Sequence, residues 1–287
     1  MSIPDDVDLR PEVVVVIGAG GLGLAAVRRI GSGRHIVVAD LPGARLDYAV
    51  EVMTSAGHQF TPWPTDASDP VAVASLASES ARLGRIRTIV DTAGISPLQG
   101  GSADIFRVNL YGMALVLDAF RPAARSGTVI VCIASQGGYR LPVSPETERL
   151  LALTPTEELL GLDVLDPDNF EPAEAYAIAK RGVHVRVAAQ STHWAAQGAR
   201  AVSVSPGITV TPQSMLEFEG PNGELMRKLL DRPGTRFGTP DDIAAVIDFL
   251  TSPAASFING TDILVDGGAI AHQRWGDGSY FLSRPPV

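Results

Sequence analysis

Tyr176 and Lys180 are the residues whose types and spacing most directly suggest chemistry. They lie four positions apart in the run AYAIAK, and the chain contains one other lysine, Lys228. Four residues is about one helical turn, so both side chains would lie on one face of a helix. An unperturbed tyrosine has a pKa of about 10, and a neighbouring ammonium lowers that pKa, so that the phenol can exchange a proton with a substrate. The same spacing also occurs on ordinary helix surfaces, and the rest of the chain must decide between the two interpretations.

A glycine-rich loop near the N-terminus indicates a nucleotide site. The run IGAGGLG places Gly18, Gly20 and Gly23 between the apolar run EVVVVI and a segment with helical periodicity. Glycines in this context let a pyrophosphate approach backbone N–H groups at the positive end of a helix. Asp40 ends the next apolar run, where an acid binds both hydroxyls of an adenosine ribose and repels a 2′-phosphate. The pattern favours NAD over NADP; the alternative is that Asp40 only caps the turn before Pro42.

The elements that must position these residues alternate between strands and helices along the whole chain. Short apolar runs predict seven strands, at residues 12–17, 35–40, 58–63, 86–94, 127–135, 199–207 and 262–268. Six segments with helical periodicity alternate with these strands, at residues 22–30, 44–57, 69–84, 108–124, 175–198 and 239–252. Because parallel strands need crossover connections, this order predicts one α/β domain over residues 1–287, with a doubly wound, mostly parallel sheet between two layers of helices.

Composition and charge limit the class of protein and of partner. The chain is 45% hydrophobic, as expected of a globular domain with a large core, and its formal net charge is −9. The acidic balance and the lack of a basic run argue against nucleic acid as a partner. No signal peptide and no membrane-spanning apolar stretch are visible, so we expect a soluble, cytoplasmic protein. The single cysteine, Cys132, allows no internal disulfide, and no His or Cys cluster has the spacing of a metal site.

With these motifs on one scaffold, the chain resembles the short-chain dehydrogenase/reductase family over roughly residues 12–270. The ending GTPDDIAAVIDFLTSPAASFINGTDILVDGG resembles the C-terminal signature of the family. The run SPG at 205–207, followed by Thr211, resembles its loop beside the nicotinamide. The resemblance implies a Rossmann-type fold, a nicotinamide cofactor and a small alcohol or ketone as substrate.

The resemblance also implies a role for each of four residues. Ser135, at the end of the fifth strand, corresponds to the serine that hydrogen-bonds the substrate oxygen. Tyr176 corresponds to the general acid/base, and Lys180 to the residue that lowers its pKa and holds the nicotinamide ribose. Asn109 corresponds to the anchor of a water that links the lysine to solvent. The cofactor site that the resemblance implies consists of Gly18, Gly20, Leu22, Gly23, Asp40, Asp66, Ala67, Ala93, Gly94, Tyr176, Lys180, Pro206, Gly207, Ile208 and Thr211. For Asp66, expected beside the adenine, a solvated loop aspartate is the alternative.

The sequence departs from the family pattern at three places. The glycine loop is one residue shorter than usual and has Ile17 where a threonine is common. The family's N-N-A-G run is DTAG here, with Thr92 in place of an asparagine that braces a neighbouring strand. Ser135 and Tyr176 are separated by an enlarged insertion, residues 140–172, in which we predict two short helices. Either this insertion caps the substrate pocket or it serves as surface or subunit-contact padding. Residues 212–235 match the family's usual substrate loop.

The sequence therefore predicts an NAD-dependent oxidoreductase that interconverts a secondary alcohol and a ketone. The alternative is a nucleotide-binding regulatory protein with the same fold and no productive turnover. The resemblance implies a homo-oligomer, tetramer or dimer, with interfaces built by helices 108–124 and 175–198. For the substrate pocket we expect Ser96, Gln136 and Tyr139 in addition to the two loops. The apolar content of these loops hints at a hydrophobic alcohol or a steroid-like ketone. We expect His184 to face solvent or a neighbouring helix.

Overall fold

A single parallel sheet organises the chain in the computed structural model, which describes residues 10–220, 223–230 and 236–276. Its seven strands pair in the order β3-β2-β1-β4-β5-β6-β7, all parallel. The strands are β1 (Glu12–Ile17), β2 (His35–Asp40), β3 (Gln59–Pro64), β4 (Arg85–Asp91), β5 (Val129–Ile133), β6 (Arg200–Pro206) and β7 (Asp262–Val265). The predicted α/β, Rossmann-type doubly wound architecture is confirmed.

The central strands are apolar on both faces because helices cover both faces of the sheet. Val13 to Val16 in β1 have no exposed surface, and alternate residues belong to two separate hydrophobic clusters, one on each side. The edge strand β3 is only half-buried and contains two prolines, which an edge position tolerates because fewer of its N–H groups pair.

The helices agree with the sequence pattern in place along most of the chain, but the described chain has eleven of them, more than the sequence pattern predicted. Their bounds are α1 (Gly21–Ile30), α2 (Ala44–Ser55), α3 (Pro70–Leu83), α4 (Ser102–Ile105), α5 (Met113–Phe120), α6 (Pro145–Leu153), α7 (Pro172–Ala195), α8 (Pro212–Glu219), α9 (Gly223–Leu230), α10 (Pro240–Thr251) and α11 (Ala269–Trp275). Between α4 and α5 the residues Phe106–Gly112 form a π-helical segment. The predicted helix 108–124 therefore begins earlier, at Ser102, and has an irregular middle.

The strand order places the loops of the predicted site at one edge of the sheet. The chain moves outward from β1 through β2 to β3 and then returns to β4 on the other side of β1. After β1 and after β4 the chain therefore continues in opposite directions along the sheet, which leaves a crevice between the loops at their carboxyl ends. The glycine loop follows β1, Asp40 ends β2, and Ser135 follows β5 at the same edge.

The insertion forms one helix and a series of tight turns. Ser144 caps α6 as predicted, because its hydroxyl accepts a hydrogen bond from the Thr147 N–H (3.1 Å). The second predicted helix is present only as a short 3₁₀ helix at residues 156–161, and two further 3₁₀ turns follow at 163–165 and 167–169. Leu162 and Asp166 interrupt the 3₁₀ hydrogen bonding between these segments. Apolar side chains of the segments, such as Leu159 and Leu165, are buried in one cluster without forming a single helical stripe.

The insertion packs on the outside of the π-helical segment and α7. Leu151, Leu159 and Leu165 are fully buried in one cluster with apolar residues of those two helices. The Arg186 guanidinium, 2% exposed, donates hydrogen bonds to the carbonyl oxygens of Leu151 (2.7 Å) and Thr154 (2.6 Å). The insertion is thus bound to α7 by apolar contacts and by buried hydrogen bonds.

Candidate active site

A cavity of about 450 Å³ lies at the carboxyl edge of the sheet, above β4, β5 and β6. Its walls come from the glycine loop, from the residues after these strands, from α7 and from the segment after β6. Nine of the residues predicted for the site line it: Leu22, Gly94, Ser135, Tyr176, Lys180, Pro206, Gly207, Ile208 and Thr211. The sheet therefore brings the predicted catalytic and nicotinamide-side residues to one place.

Tyr176 and Lys180 lie on one face of α7, turned toward the cavity. The Lys180 ammonium lies 5.7 Å from the centre of the Tyr176 ring and donates a hydrogen bond to the Ile133 carbonyl (3.0 Å). Lys180 is 4% exposed, and this burial lowers its pKa to about 8. The side chain is still mostly cationic at pH 7, so it can stabilise a phenolate on Tyr176.

The start of α7 is fixed by its N-terminal residues. Glu171 and Glu174 form a reciprocal capping box, and Pro172 occupies the first helical turn, where its missing N–H costs nothing. The helix therefore begins three residues before the predicted start at residue 175 and ends at Ala195, before Gly198, which has a φ of +70°.

Ser135 approaches Tyr176 because a glycine separates them. The Ser135 hydroxyl oxygen accepts a hydrogen bond from the Gly137 N–H (3.0 Å). A Cβ at Gly137 would lie 3.0 Å from the Tyr176 ring and 3.3 Å from the Ser135 hydroxyl oxygen. A side chain at this position would push apart these two hydroxyl-bearing residues.

Asn109 lies in the π-helical segment and is buried beneath the cavity. Its Oδ1 accepts a hydrogen bond from the Ile95 N–H and its Nδ2 donates one to the Ile95 carbonyl, both at 2.8 Å. The side chain thus holds the backbone next to Gly94, where a Cβ would be 3.0 Å from Asn109 Oδ1 and 3.5 Å from the Lys180 ammonium. The predicted water anchor would have to be the backbone carbonyl of Asn109, whose helical hydrogen-bond pattern is the irregular π type often found at functional sites.

The glycine loop has the close backbone packing that a pyrophosphate site needs. Gly18 has a φ of +92°, and a Cβ there would collide with the Thr92 hydroxyl. A Cβ at Gly23 would run into the Gly18 carbonyl, so α1 could not begin so close to the loop. The Thr92 hydroxyl is 3.0 Å from the Ile17 carbonyl and 2.9 Å from that of Gly18. It therefore braces β1 as expected of the residue in the asparagine position.

Asp40 lies beside the glycine loop and is 8% exposed. Its Oδ2 accepts a hydrogen bond from the Ala19 N–H and its Oδ1 one from the Leu41 N–H, both at 2.8 Å. These bonds hold the carboxylate at the end of β2, and each oxygen keeps a lone pair for a ribose hydroxyl. Arg45, whose side chain is mostly exposed, comes within 3.6 Å of Oδ2.

The predicted adenine-side residues follow β3. Asp66 uses Oδ1 to accept hydrogen bonds from the Ser68 N–H (2.8 Å) and hydroxyl (2.7 Å), which leaves Oδ2 outside this turn. Ala67 is buried against Gly112, where a Cβ would lie 2.8 Å from the Ala67 carbonyl. Ala93 donates its N–H to the Asp91 carboxylate (3.0 Å).

The segment after β6 forms the part of the cavity wall next to the glycine loop, since a Cβ at Gly21 would lie 3.5 Å from Thr211 Cγ2. Gly207 donates its N–H to the Val265 carbonyl (2.9 Å), and a Cβ there would lie 2.7 Å from the Asp266 Cα. Thr211 caps α8, because its hydroxyl accepts a hydrogen bond from the Ser214 N–H (3.1 Å). Of the predicted substrate loop 212–235, α8 and α9 lie in the described chain, and residues 221–222 and 231–235 lie outside it. Met226 of α9 lines the cavity.

The substrate side of the cavity differs from the sequence expectation in two residues. Gln136 and Arg140 line it, whereas Ser96 and Tyr139 do not belong to its described walls. The Tyr139 hydroxyl donates instead to Asp262 on β7 (2.8 Å), because the 3₁₀ turn after Ser135 directs this side chain away from the cavity. The insertion contributes Arg140 at its first position, and none of residues 141–172 is among the described lining residues.

His184 is buried, contrary to the expected position facing solvent or a helix. Its Nε2 lies 2.7 Å from the Ser205 hydroxyl, and its ring stacks at 4.8 Å against Tyr139. Burial lowers its pKa to about 4, so the ring is neutral at pH 7. It lies one turn after Lys180 on α7 and ties that helix to β6 and β7. Sequence spacing alone gave no signal for this contact, since its partners come from distant segments.

Two kinds of feature are lacking in the part of the chain that the structure describes. No helix there is long and apolar enough to cross a membrane. No group of three or more His, Cys, Asp or Glu residues in the same ranges could hold a metal ion.

Comparisons with known proteins agree with this geometry. A family model described as short chain dehydrogenase matches residues 12–145, and one described as Enoyl-(Acyl carrier protein) reductase matches residues 164–269. The gap between the two matches falls inside the insertion.

Individual proteins are similar over most of their length. The short-chain dehydrogenase/reductase bsc3 of Alternaria brassicicola is 35% identical over 267 residues, 92% of this chain and 97% of that protein. The 3-alpha-hydroxysteroid dehydrogenase/carbonyl reductase of Comamonas testosteroni is 30% identical over 239 residues, 78% of this chain and 91% of that protein. The crystal structure of gox2181 superposes with a TM-score of 0.71 at 25% sequence identity. The superposition covers 92% of this chain and 97% of the gox2181 chain. This chain therefore belongs to the short-chain dehydrogenase/reductase family of oxidoreductases.

Proposed function

We propose that the protein interconverts a secondary alcohol and a ketone with NAD as the hydride acceptor or donor. The observation that carries the proposal is the convergence of Ser135, Tyr176 and Lys180 on one cavity that Leu22 of the glycine loop also lines. Gly18 and Gly23 allow α1 to pack directly against the loop, and Gly20 has open space beside it, as a dinucleotide site requires. When bound, the nicotinamide supplies the hydride chemistry, and the protein supplies position and charge.

The side chains around Tyr176 have complementary tasks in the proton transfer. In alcohol oxidation the Tyr176 phenolate takes the proton from the substrate hydroxyl, and in ketone reduction the phenol returns it. Ser135 donates its hydroxyl hydrogen to the substrate oxygen, since its own oxygen already accepts from Gly137. The Lys180 ammonium, fixed on the Ile133 carbonyl, stabilises the phenolate form of Tyr176. Tyr176 is thus the general acid/base and Lys180 the residue that tunes it.

Turnover with a panel of secondary alcohols tests this function. We expect NADH to form with at least one alcohol in a panel that includes aliphatic, cyclic and hydroxysteroid compounds, since one relative is a hydroxysteroid dehydrogenase/carbonyl reductase. Tight NAD binding would favour the regulatory alternative if no alcohol of the panel yields NADH and no matching ketone, supplied with NADH, yields NAD⁺.

Cofactor choice is expected to depend on the charge of Asp40. The Asp40→Asn variant should lower the ratio of kcat/KM for NAD to kcat/KM for NADP about tenfold, because it removes a negative charge beside the 2′-position of the ribose. Arg45→Ala is the matched control, since it removes the cation next to the same carboxylate without touching the acid. A wild-type preference for NADP that disappears in Arg45→Ala would contradict the assignment of NAD.

We also propose that the protein is a homo-oligomer whose contact lies away from the insertion. Every residue of α7 from 174 to 187 is buried or half-buried within the single chain, so the insertion occupies the face expected for a helix interface. The edge strand β7 is half-exposed along its length, and the aromatic residues Phe249 and Phe257 near it in sequence are exposed. We expect light scattering to give a dimer or tetramer for the wild type and a smaller mass for Phe257→Asp. A monomeric wild type, or an unchanged variant, would contradict this contact.

A further inference from the structure

Asp91, the last residue of β4, is a buried carboxyl group that the proposed mechanism leaves without a role. It is 1% exposed and lies in register with Ile17 on β1 and with Cys132 on β5. One carboxylate oxygen accepts the Ala93 N–H (3.0 Å). A single neutral donor does not offset the cost of burying an ionised carboxylate, so this group needs a further partner.

The nearest candidate is the ammonium of Lys180, which is equally buried. Its hydrogen-bond acceptor is the carbonyl of Ile133, the residue that follows Cys132 on the strand next to Asp91. The same ammonium lies 3.5 Å from where a Cβ would be at Gly94, three residues after Asp91. Asp91 thus ends β4, and the Lys180 ammonium lies at the end of the adjacent strand β5.

We propose that Asp91 is a positioning residue of the active site, whose buried carboxylate keeps Lys180 in the ammonium form on which Tyr176 depends. This inference rests on the roles proposed above for Tyr176 and Lys180.

The electrostatic balance at Lys180 has opposing contributions from burial and from Asp91. Burial lowers the pKa of Lys180 to about 8, and the charge of Asp91 opposes that decrease. Burial likewise raises the pKa of Asp91 to about 7, against the Ala93 hydrogen bond and the charge of Lys180. Without the carboxylate, the largest opposition to burial would be lost, and the pKa of Lys180 would fall further. The lysine would then lose its charge in the pH range where Tyr176 must be deprotonated.

The other groups around Lys180 cannot supply this charge at neutral pH. Cys132 on β5 is neutral, because burial raises the pKa of its thiol well above the ordinary value. His184, one turn along α7, is neutral as well, and Tyr176 is the group to be tuned. Asn109 carries no charge and is bonded to Ile95. Within the described chain, Asp91 is therefore the acid that acts on Lys180.

The lysine content of the chain permits a direct test. With ¹³Cε-labelled lysine, the full-length protein should give two NMR signals, from Lys180 and from the exposed Lys228, and Lys228→Arg identifies the second. We expect Asp91→Asn, which has the same shape and can still accept the Ala93 N–H, to lower the titration midpoint of Lys180 by about one pH unit or more. Asp91→Ser provides a second neutral variant, with the same expected shift. An unchanged or raised midpoint in the neutral variants overturns the proposal.

The pH dependence of alcohol oxidation gives the corresponding functional readout. In Asp91→Asn the acidic limb of the kcat profile should move to higher pH by a similar amount, because a neutral lysine no longer lowers the pKa of Tyr176. Cys132→Ala is the matched control: it alters the residue paired with Asp91 without removing a charge, and both the midpoint and the limb should stay in place. If the protein turns over no substrate, the NMR midpoint of Lys180 still tests the inference. If the enzyme is active but the midpoint does not shift in Asp91→Asn, the inference is wrong and the proposed function still stands.

Discussion

Replacing Tyr176 with phenylalanine is expected to lower kcat for alcohol oxidation by about 10³-fold or more while NAD still binds. General acid–base catalysis by a positioned side chain contributes about 10²- to 10⁴-fold, and the variant removes the one group proposed to carry the proton. Phenylalanine keeps the ring that packs beside Gly137 and under the Lys180 ammonium, so the cavity should keep its shape. Steady-state kinetics and a fluorescence titration with NAD measure the two quantities separately.

Tyr139→Phe is the matched control for this experiment. It removes a phenolic hydroxyl four residues after Ser135, but that hydroxyl donates to Asp262 and the ring is not among the described cavity walls. We expect kcat to stay near the wild-type value and the free energy of unfolding to fall by about 1 kcal/mol for one lost hydrogen bond. More than a tenth of wild-type activity in Tyr176→Phe would remove tyrosine from its proposed role.

The fold could be predicted because local and global signals agree in this chain. The run EVVVVI is typical of a strand buried on both faces. The predicted helix 69–84 begins where Asp69 accepts the Val71 N–H (2.8 Å) and Pro70 takes the first helical position. Periodicity did not predict the π-helical segment, since a shift from i→i+4 to i→i+5 bonding leaves the apolar pattern almost unchanged.

The candidate site was predictable where its residues lie on one element or end neighbouring strands. The face shared by Tyr176 and Lys180 follows from their spacing, and Ser135 joins them because parallel strands end at the same edge. Side chains in irregular segments were not predictable, because their directions depend on tertiary packing. Thus Tyr139, expected in the pocket, bonds Asp262 instead, and its neighbour Arg140 lines the cavity without any sequence signal.

The insertion illustrates the same difference between pattern and packing. Its apolar residues suggested two helical stripes, yet Leu159 and Leu165 are buried from short 3₁₀ turns. What fixes these turns is a long-range contact from α7, since Arg186 bonds the carbonyls of Leu151 and Thr154 and lies 3.2 Å from the Thr156 hydroxyl. A guanidinium suits this task because its planar fork can bond several acceptors at once.

Arg186→Met is therefore expected to lower the free energy of unfolding by about 2–4 kcal/mol. Methionine fills much of the volume of the arginine stem, but it leaves the buried Leu151 carbonyl oxygen, the part-buried Thr154 carbonyl oxygen and the Thr156 hydroxyl without this donor. Chemical denaturation followed by circular dichroism, at one fixed protein concentration, measures the change.

Arg181→Met separates this effect from the loss of a charge on the same helix. Arg181 also joins α7 to the insertion, through a bond from its Nε to Glu148 (2.7 Å), but both partners are about 30% exposed on their side chains. An ion pair so close to solvent contributes about 1 kcal/mol or less. A loss in Arg186→Met no larger than that in Arg181→Met would mean that apolar packing alone holds the insertion. A clearly larger loss would establish that the buried guanidinium stabilises the insertion on the helix that carries Tyr176 and Lys180.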